Sequence, residues 1–102
     1  MPNIDYYAKL PNIQLNKLIA QRLGMGTINP PAITSDLNAA FELVDTLRCS
    51  FDLYHLPNSE WVAVAGGLVE YKSFDLGRVL CVMWLGAIDV VEHPMPPNAE
   101  AW

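Results

Sequence analysis

The chain is short of positive charge. Lys and Arg number 6 against 11 Asp and Glu, for a formal net charge of −5 and a pI near 4.7. General nucleic-acid binding needs a basic face that displaces phosphate counterions, so this composition argues against it. An acidic surface of this size either keeps a small domain soluble, where a net charge of ~2–8 is ordinary, or imitates nucleic acid. Cysteine and histidine are scarce as well. Cys49 and Cys81 have no C-x-x-C partner, and His55 and His93 do not complete a zinc set. Buried free thiols in a reducing cytosol are expected, with no metal and no cofactor. The opening "MPNIDYYAKL" has neither a basic n-region nor an apolar h-region, so secretion is not indicated. The longest apolar run is broken by Gly86 and Asp89 and falls short of the ~20 residues of a membrane helix. A cytoplasmic protein without a membrane partner is therefore expected.

What is present suits one domain. A chain of 102 residues buries roughly 65% of its unfolded surface, enough for one core without staples. Its 52% apolar content speaks against disorder.

The apolar pattern divides the chain into a lead-in, residues 1–11, a core, residues 12–88, and a Pro-rich extended tail, residues 89–102. Pro2 and Pro11 make the lead-in irregular. In "NIQLNKLIAQRLG", Leu15, Leu18, Ile19 and Leu23 share a helical face, Asn12 suits the N-cap and Gly24 the position past the C-terminus. Gly24 to Ile33 reads as a loop. "TSDLNAAFELVDTLR" is the clearest helix, capped by Thr34 or Ser35 and striped by Leu37, Ala40, Phe41, Val44 and Leu47. "SFDLYHL", "WVAVA" and "LVEYKS" read as three strands joined by the turns "PNSE" and "GG", an antiparallel meander. Ser73 then caps the final helix, "FDLGRVLCVMWLGAI". Between Gly77 and Ala87 its sole polar side chain is Arg78. The fold class is thus α+β, in the order α-α-β-β-β-α.

These pieces in this order resemble the phage ABA sandwich domain family. Leu15, Leu18, Ala20 and Gly24 match its first helix motif, and Thr34, Ser35, Asp36, Ala39, Ala40, Phe41 and Glu42 its second, with Phe41 where Trp is usual. Trp61 matches the strand Trp, and Cys81 and Leu85 the last helix. The resemblance spans residues 13 to 88 and departs at the 24–33 loop, at bulky Trp84 and in the tail. It implies a three-layer α-β-α sandwich and a phage or prophage origin. It supplies no activity and no catalytic residues.

Few residues suggest chemistry. His55 lies on a strand and His93 in the tail, far apart in sequence. Ser35 and Ser73 read as caps rather than nucleophiles, Glu42 and Asp45 as a solvated helix face, and "AGG" as a hairpin turn rather than a phosphate loop. No enzyme is expected. One cluster suggests binding: Tyr71, Lys72, Ser73 and Arg78 at the junction of the third strand and last helix. Backbone donors at a helix N-terminus, two cations and an aromatic ring can hold a phosphate and stack a base, although Asp75 opposes this.

The last helix is apolar nearly all round. In a sandwich it buries one face on the sheet, and the other needs a cover. A homo-oligomer, most simply a dimer, is therefore expected, with Val79, Val82, Met83 and Trp84 in the contact and Trp102 of the tail lying across the neighbouring subunit. Three roles fit: a phage counter-defence sponge that sequesters a nucleotide-type immune signal; an acidic inhibitor that binds a host nuclease or defence complex; and a phage accessory protein with no immune role. The sponge is the first expectation.

Overall fold

The computed structural model describes residues 4–26, 28–67 and 69–89. At its centre is the apolar helix, α4 (Leu76–Ala87). Val79, Leu80, Cys81, Val82, Met83, Leu85 and Ala87 are each 0% exposed and Trp84 is 4% exposed. Val79, Met83 and Ala87, four residues apart on one face, meet Ala63, Ala65 and Val69 of the sheet. Leu80, Val82, Trp84 and Leu85 point the other way and meet Tyr7, Leu15, Ile19, Ala40, Leu43 and Val44. Each large aliphatic side chain buried in this way contributes roughly 1.5–3 kcal/mol. The chain itself covers both sides of the helix. Val79, Val82, Met83 and Trp84 therefore lie inside the subunit and are not available as subunit contacts. Trp102 lies outside the described residues.

The sheet is an antiparallel meander of β1 (Phe51–His55), β2 (Trp61–Ala65) and β3 (Val69–Ser73), in the order β1-β2-β3. Its register sets Leu53 opposite Ala63 and Ala63 opposite Tyr71. Alternation turns Phe51, Leu53, Ala63, Ala65, Val69 and Tyr71 toward α4 and leaves Asp52, Tyr54, Glu70 and Lys72 in solvent. Both hairpins need left-handed residues: Ser59 at φ 76° in the first, Gly66 and Gly67 at 62° and 69° in the second.

The earlier helices, α2 (Asn12–Arg22) and α3 (Leu37–Val44), with a 3-10 turn at Ile33–Ser35 between them, stack on α4 and not on the sheet. The class and the element order are those expected. The layers, however, run sheet, α4, then α2 with α3, and no described helix covers the outer sheet face. The physical reason is polarity. That outer face sets Val62 and Val64 among Asp52, Glu70 and Lys72, with Val62 already buried by its neighbours, and so offers a helix little further apolar surface. The helix with two apolar faces takes the middle.

Local chemistry shifts several boundaries. The lead-in is not wholly irregular, because Ile4–Ala8 forms a short helix, α1. Tyr7 is 2% exposed, and Ile4 reaches the α4 backbone where Gly86 leaves room; a Cβ there would lie 2.9 Å from Ile4 Cδ1. Pro11, not Asn12, takes the N-cap place of α2. Gly24, at φ 75°, ends that helix as expected, with Gly24 N–H on the Gln21 carbonyl and Met25 N–H on the Ala20 carbonyl. Carboxylates displace the expected hydroxyl caps: Asp36 Oδ1 accepts from Ala39 N–H and Asp75 Oδ1 from Arg78 N–H, each at 3.2 Å. Ser73 instead accepts from the Asp75 N–H. The helix at α3 stops at Val44, short of Leu47 and Arg48.

A polar triangle joins the ends of three helices. Tyr7 donates its hydroxyl hydrogen to Asp89 Oδ2, and Arg22 donates to Asp89 Oδ1 at 2.6 Å and to the Tyr7 oxygen at 2.8 Å. Burial, then Asp89, pushes the Tyr7 hydroxyl above the ordinary tyrosine value, with Arg22 pulling the other way. The fold thus favours protonated Tyr7. That contribution is complete below pH ~10 and is lost as pH rises through the raised value.

Tyr7→Phe should cost about 1–2 kcal/mol at neutral pH and flatten the loss of stability in urea unfolding between pH 9 and 11.5. An unchanged alkaline slope would show that Tyr7 does not carry it. Gly77 is held just as closely. A Cβ at this position would collide with the Thr34 carbonyl oxygen. Gly77→Ala should therefore lose about 1–3 kcal/mol by overpacking, outweighing the ~1 kcal/mol of helix propensity that alanine adds. A thermal melt reads this directly, and an equal or higher Tm would rule out the close approach.

Candidate functional site

The four residues expected to hold a nucleotide are divided by the sheet. Tyr71 and Ser73 are on the inward face of β3, whereas Lys72 is on the outer one, exposed and opposite Val62. The structure joins Tyr71 with Arg78, but for a structural purpose. The Arg78 guanidinium donates to Asn12 Oδ1 at 2.7 Å, to the Ala8 carbonyl at 2.8 Å and to the Tyr71 hydroxyl at 3.3 Å. These bonds fasten the start of α4 to the α1–α2 junction and to β3. The helix N-terminus that was to receive a phosphate already holds the Asp75 carboxylate. A cleft of 430 Å³ does lie between α1 and β3, lined by Tyr71 and Lys72, but Asp5 and Glu70 share it. The structure therefore does not bring the four expected residues together in one place.

A different concavity stands out at the end of the sheet. Here α4 begins directly against the 3-10 turn, which brings the N-termini of α3 and α4 together. The cleft between them has a volume of 380 Å³ and is lined by Ser35, Leu37, Trp61, Phe74, Asp75 and Leu76, among others. Phe74 is 66% exposed and Leu37 is 46% exposed. Phe41, one turn on from Leu37, is exposed too and extends the apolar strip along α3. Trp61 is half-buried, and His55 stacks on it with ring centroids 4.2 Å apart.

Sequence reasoning missed this cleft. It placed Phe74 inside the last helix, behind a Ser73 cap. Asp75 is an equally good cap two residues later, and choosing it puts Phe74 in the turn, outside the helical face. That choice was the available signal. The meeting of Phe74 with Leu37 and Trp61 is tertiary and leaves no local mark.

The reactive groups have structural surroundings. Burial, then the charge of Asp75, pushes the Cys81 thiol up to about 12, so it stays protonated at neutral pH. Cys49 is half-buried, and it forms no disulfide with Cys81. Ser35 donates its hydroxyl hydrogen to the Ala32 carbonyl. His93 lies outside the described residues. Among the described residues no three His, Cys, Asp or Glu side chains are grouped to hold a metal, and no helix is long and apolar enough to cross a membrane.

No family model, curated protein or solved structure matches this chain. The likeness to phage ABA sandwich proteins rests on the residues quoted for it. The described residues form an α+β domain with an exposed aromatic cleft beside two self-capped helices.

Arg78→Ala removes three bonds to neutral acceptors and should destabilise the fold by about 1–3 kcal/mol. Lys72→Glu, on the outer sheet face, should stay within ~0.5 kcal/mol of the parent. Paired thermal melts test this, and equal Tm values for the two variants would remove Arg78 from its structural role.

Proposed function

We propose that the protein is a non-enzymatic binding module that engages another protein through the cleft at the N-termini of α3 and α4. One observation carries this reading. Phe74 and Leu37 stand exposed together in one concave place, beside the half-buried ring of Trp61. Exposed apolar groups gathered in this way usually mark an interface. The surroundings of Cys81, Ser35 and Ser73 support a role without catalysis. The acidic balance and the phage likeness favour the inhibitor of a host nuclease or defence complex as the role. Nucleotide sequestration has less support, because Arg78 is engaged in the fold and carboxylates cap both helices. Self-association, if it accompanies this role, runs through surfaces other than Val79, Val82, Met83 and Trp84.

A photo-crosslinking residue placed at Phe74 tests the proposal in cells of the host, with the same reporter at Lys72 as the control. Protein adducts from position 74, absent from position 72 and lost on Leu37→Ser, are expected. Adducts only at position 72 would move the interface to the outer sheet face. No adduct at either position, with a nucleotide-sized mass on the protein in native mass spectrometry, would replace the proposal with nucleotide capture.

A further inference from the structure

We infer that the group this cleft takes is a cation: the guanidinium of an Arg, or less well the ammonium of a Lys, flanked by apolar residues on the partner. The inference rests on the protein-binding reading above and names the chemistry of the partner.

Helix N-termini ordinarily attract anions, because their first N–H groups are unpaired and their dipoles are positive. Two such termini meet at this cleft, and each carries a carboxylate at its cap. Asp36 holds the Ala39 N–H, Asp75 holds the Arg78 N–H, Ser73 Oγ holds the Asp75 N–H, and Asn16 Oδ1 holds the Thr34 N–H at 3.0 Å. A phosphate or carboxylate arriving here would meet the Asp75 carboxylate.

What remains open favours the opposite charge. Among the described residues, Asp75 is the sole ionisable side chain lining the cleft. Its Oδ1 serves the cap, which leaves Oδ2 for a ligand. Phe74 offers an aromatic face beside it. A carboxylate with an aromatic ring is the pairing that holds a guanidinium, through a charge-assisted bond and a cation–π contact. Planar guanidinium stacks on a ring and reaches a carboxylate at once, which favours Arg over Lys. Leu37 and Leu76 supply walls for apolar neighbours of that Arg. A volume of 380 Å³ is at the small end of the ~300–1,000 Å³ of ligand pockets, enough for one such side chain and its flanks. The net charge of −5 draws a basic partner at longer range.

Titration of the full chain with the peptide acetyl-Leu-Arg-Leu-amide, followed by amide and indole NMR shifts, tests the inference. Saturable shifts at Trp61, at residues 34–37 and at residues 74–77 are expected. The isosteric peptide with neutral citrulline should bind about tenfold more weakly, and the Glu peptide should not bind. Asn caps a helix as well as Asp does, so Asp75→Asn should fold normally and lose about tenfold in affinity for the Arg peptide. Phe74→Ser, at an exposed position, should lose about fivefold. Citrulline binding as well as Arg, or undiminished binding by Asp75→Asn, would overturn the cation while leaving the cleft as a protein interface. Absence of shifts with all three peptides would also overturn it, and the crosslinks at Phe74 then decide the protein-binding reading separately.

Discussion

A helix with apolar side chains on both faces has one stable place in a small domain, and that is between two other layers. α4 imposes this constraint. Val79, Met83 and Ala87 demand a sheet on one side, and Leu80, Val82, Trp84 and Leu85 demand helices on the other. The three five-residue strands can then keep a polar outer face, because no second layer has to rest on them. The short helix α1 becomes worthwhile for the same reason: Tyr7 and Ile4 complete the cover over α4, with Gly86 giving Ile4 its approach. The constraint also removes the argument for a dimer through α4, since its second face is closed by the same chain.

Carboxylate caps follow from where α4 must begin. Gly77 sits against the Thr34 carbonyl, so the first turns of α3 and α4 share one small region. The first N–H groups of each helix have no partner within their own helix. Asp36, Asp75, Ser73 and Asn16 each take one donor of this region from the chain itself. The consequence reaches the surface, where a place that would otherwise suit an anion is turned acidic.

Much of this fold was legible in the sequence. Period-two alternation found the three strands, and the turn residues found both hairpins. The stripes through Leu15 and Ile19 and through Ala40 and Val44 located α2 and α3. Gly24 marked the end of α2 for its left-handed backbone. What was illegible depended on choices between near-equal options. Thr34, Ser35 and Asp36 can each cap a helix, as can Ser73 and Asp75, and tertiary crowding at Gly77 decides between them. The order of layers was in principle visible, because an all-apolar helix belongs in the middle. The expectation of helices on both faces of the sheet hid it. Alternation put Lys72 on the opposite face from Tyr71 and Ser73, and this alone separates a cluster that looks continuous along the chain.

The cations of the chain lie away from the cleft or are tied into the fold. Few cations are present, and two of them work inside the fold: Arg22 closes the triangle with Tyr7 and Asp89, and Arg78 holds Ala8, Asn12 and Tyr71. Burial alone would lower the pKa of Arg22, but its bonds to Asp89 and Tyr7 raise it, so its charge is firmly held there. The Arg78 guanidinium is directed at the α1–α2 junction and not at the aromatic cleft, although its own backbone N–H caps into Asp75. Lys72 is on the outer sheet face. The acidic balance of the whole chain is therefore not offset by any cation lining the cleft. A partner that complements Phe74, Leu37 and Asp75 has to bring the positive charge itself.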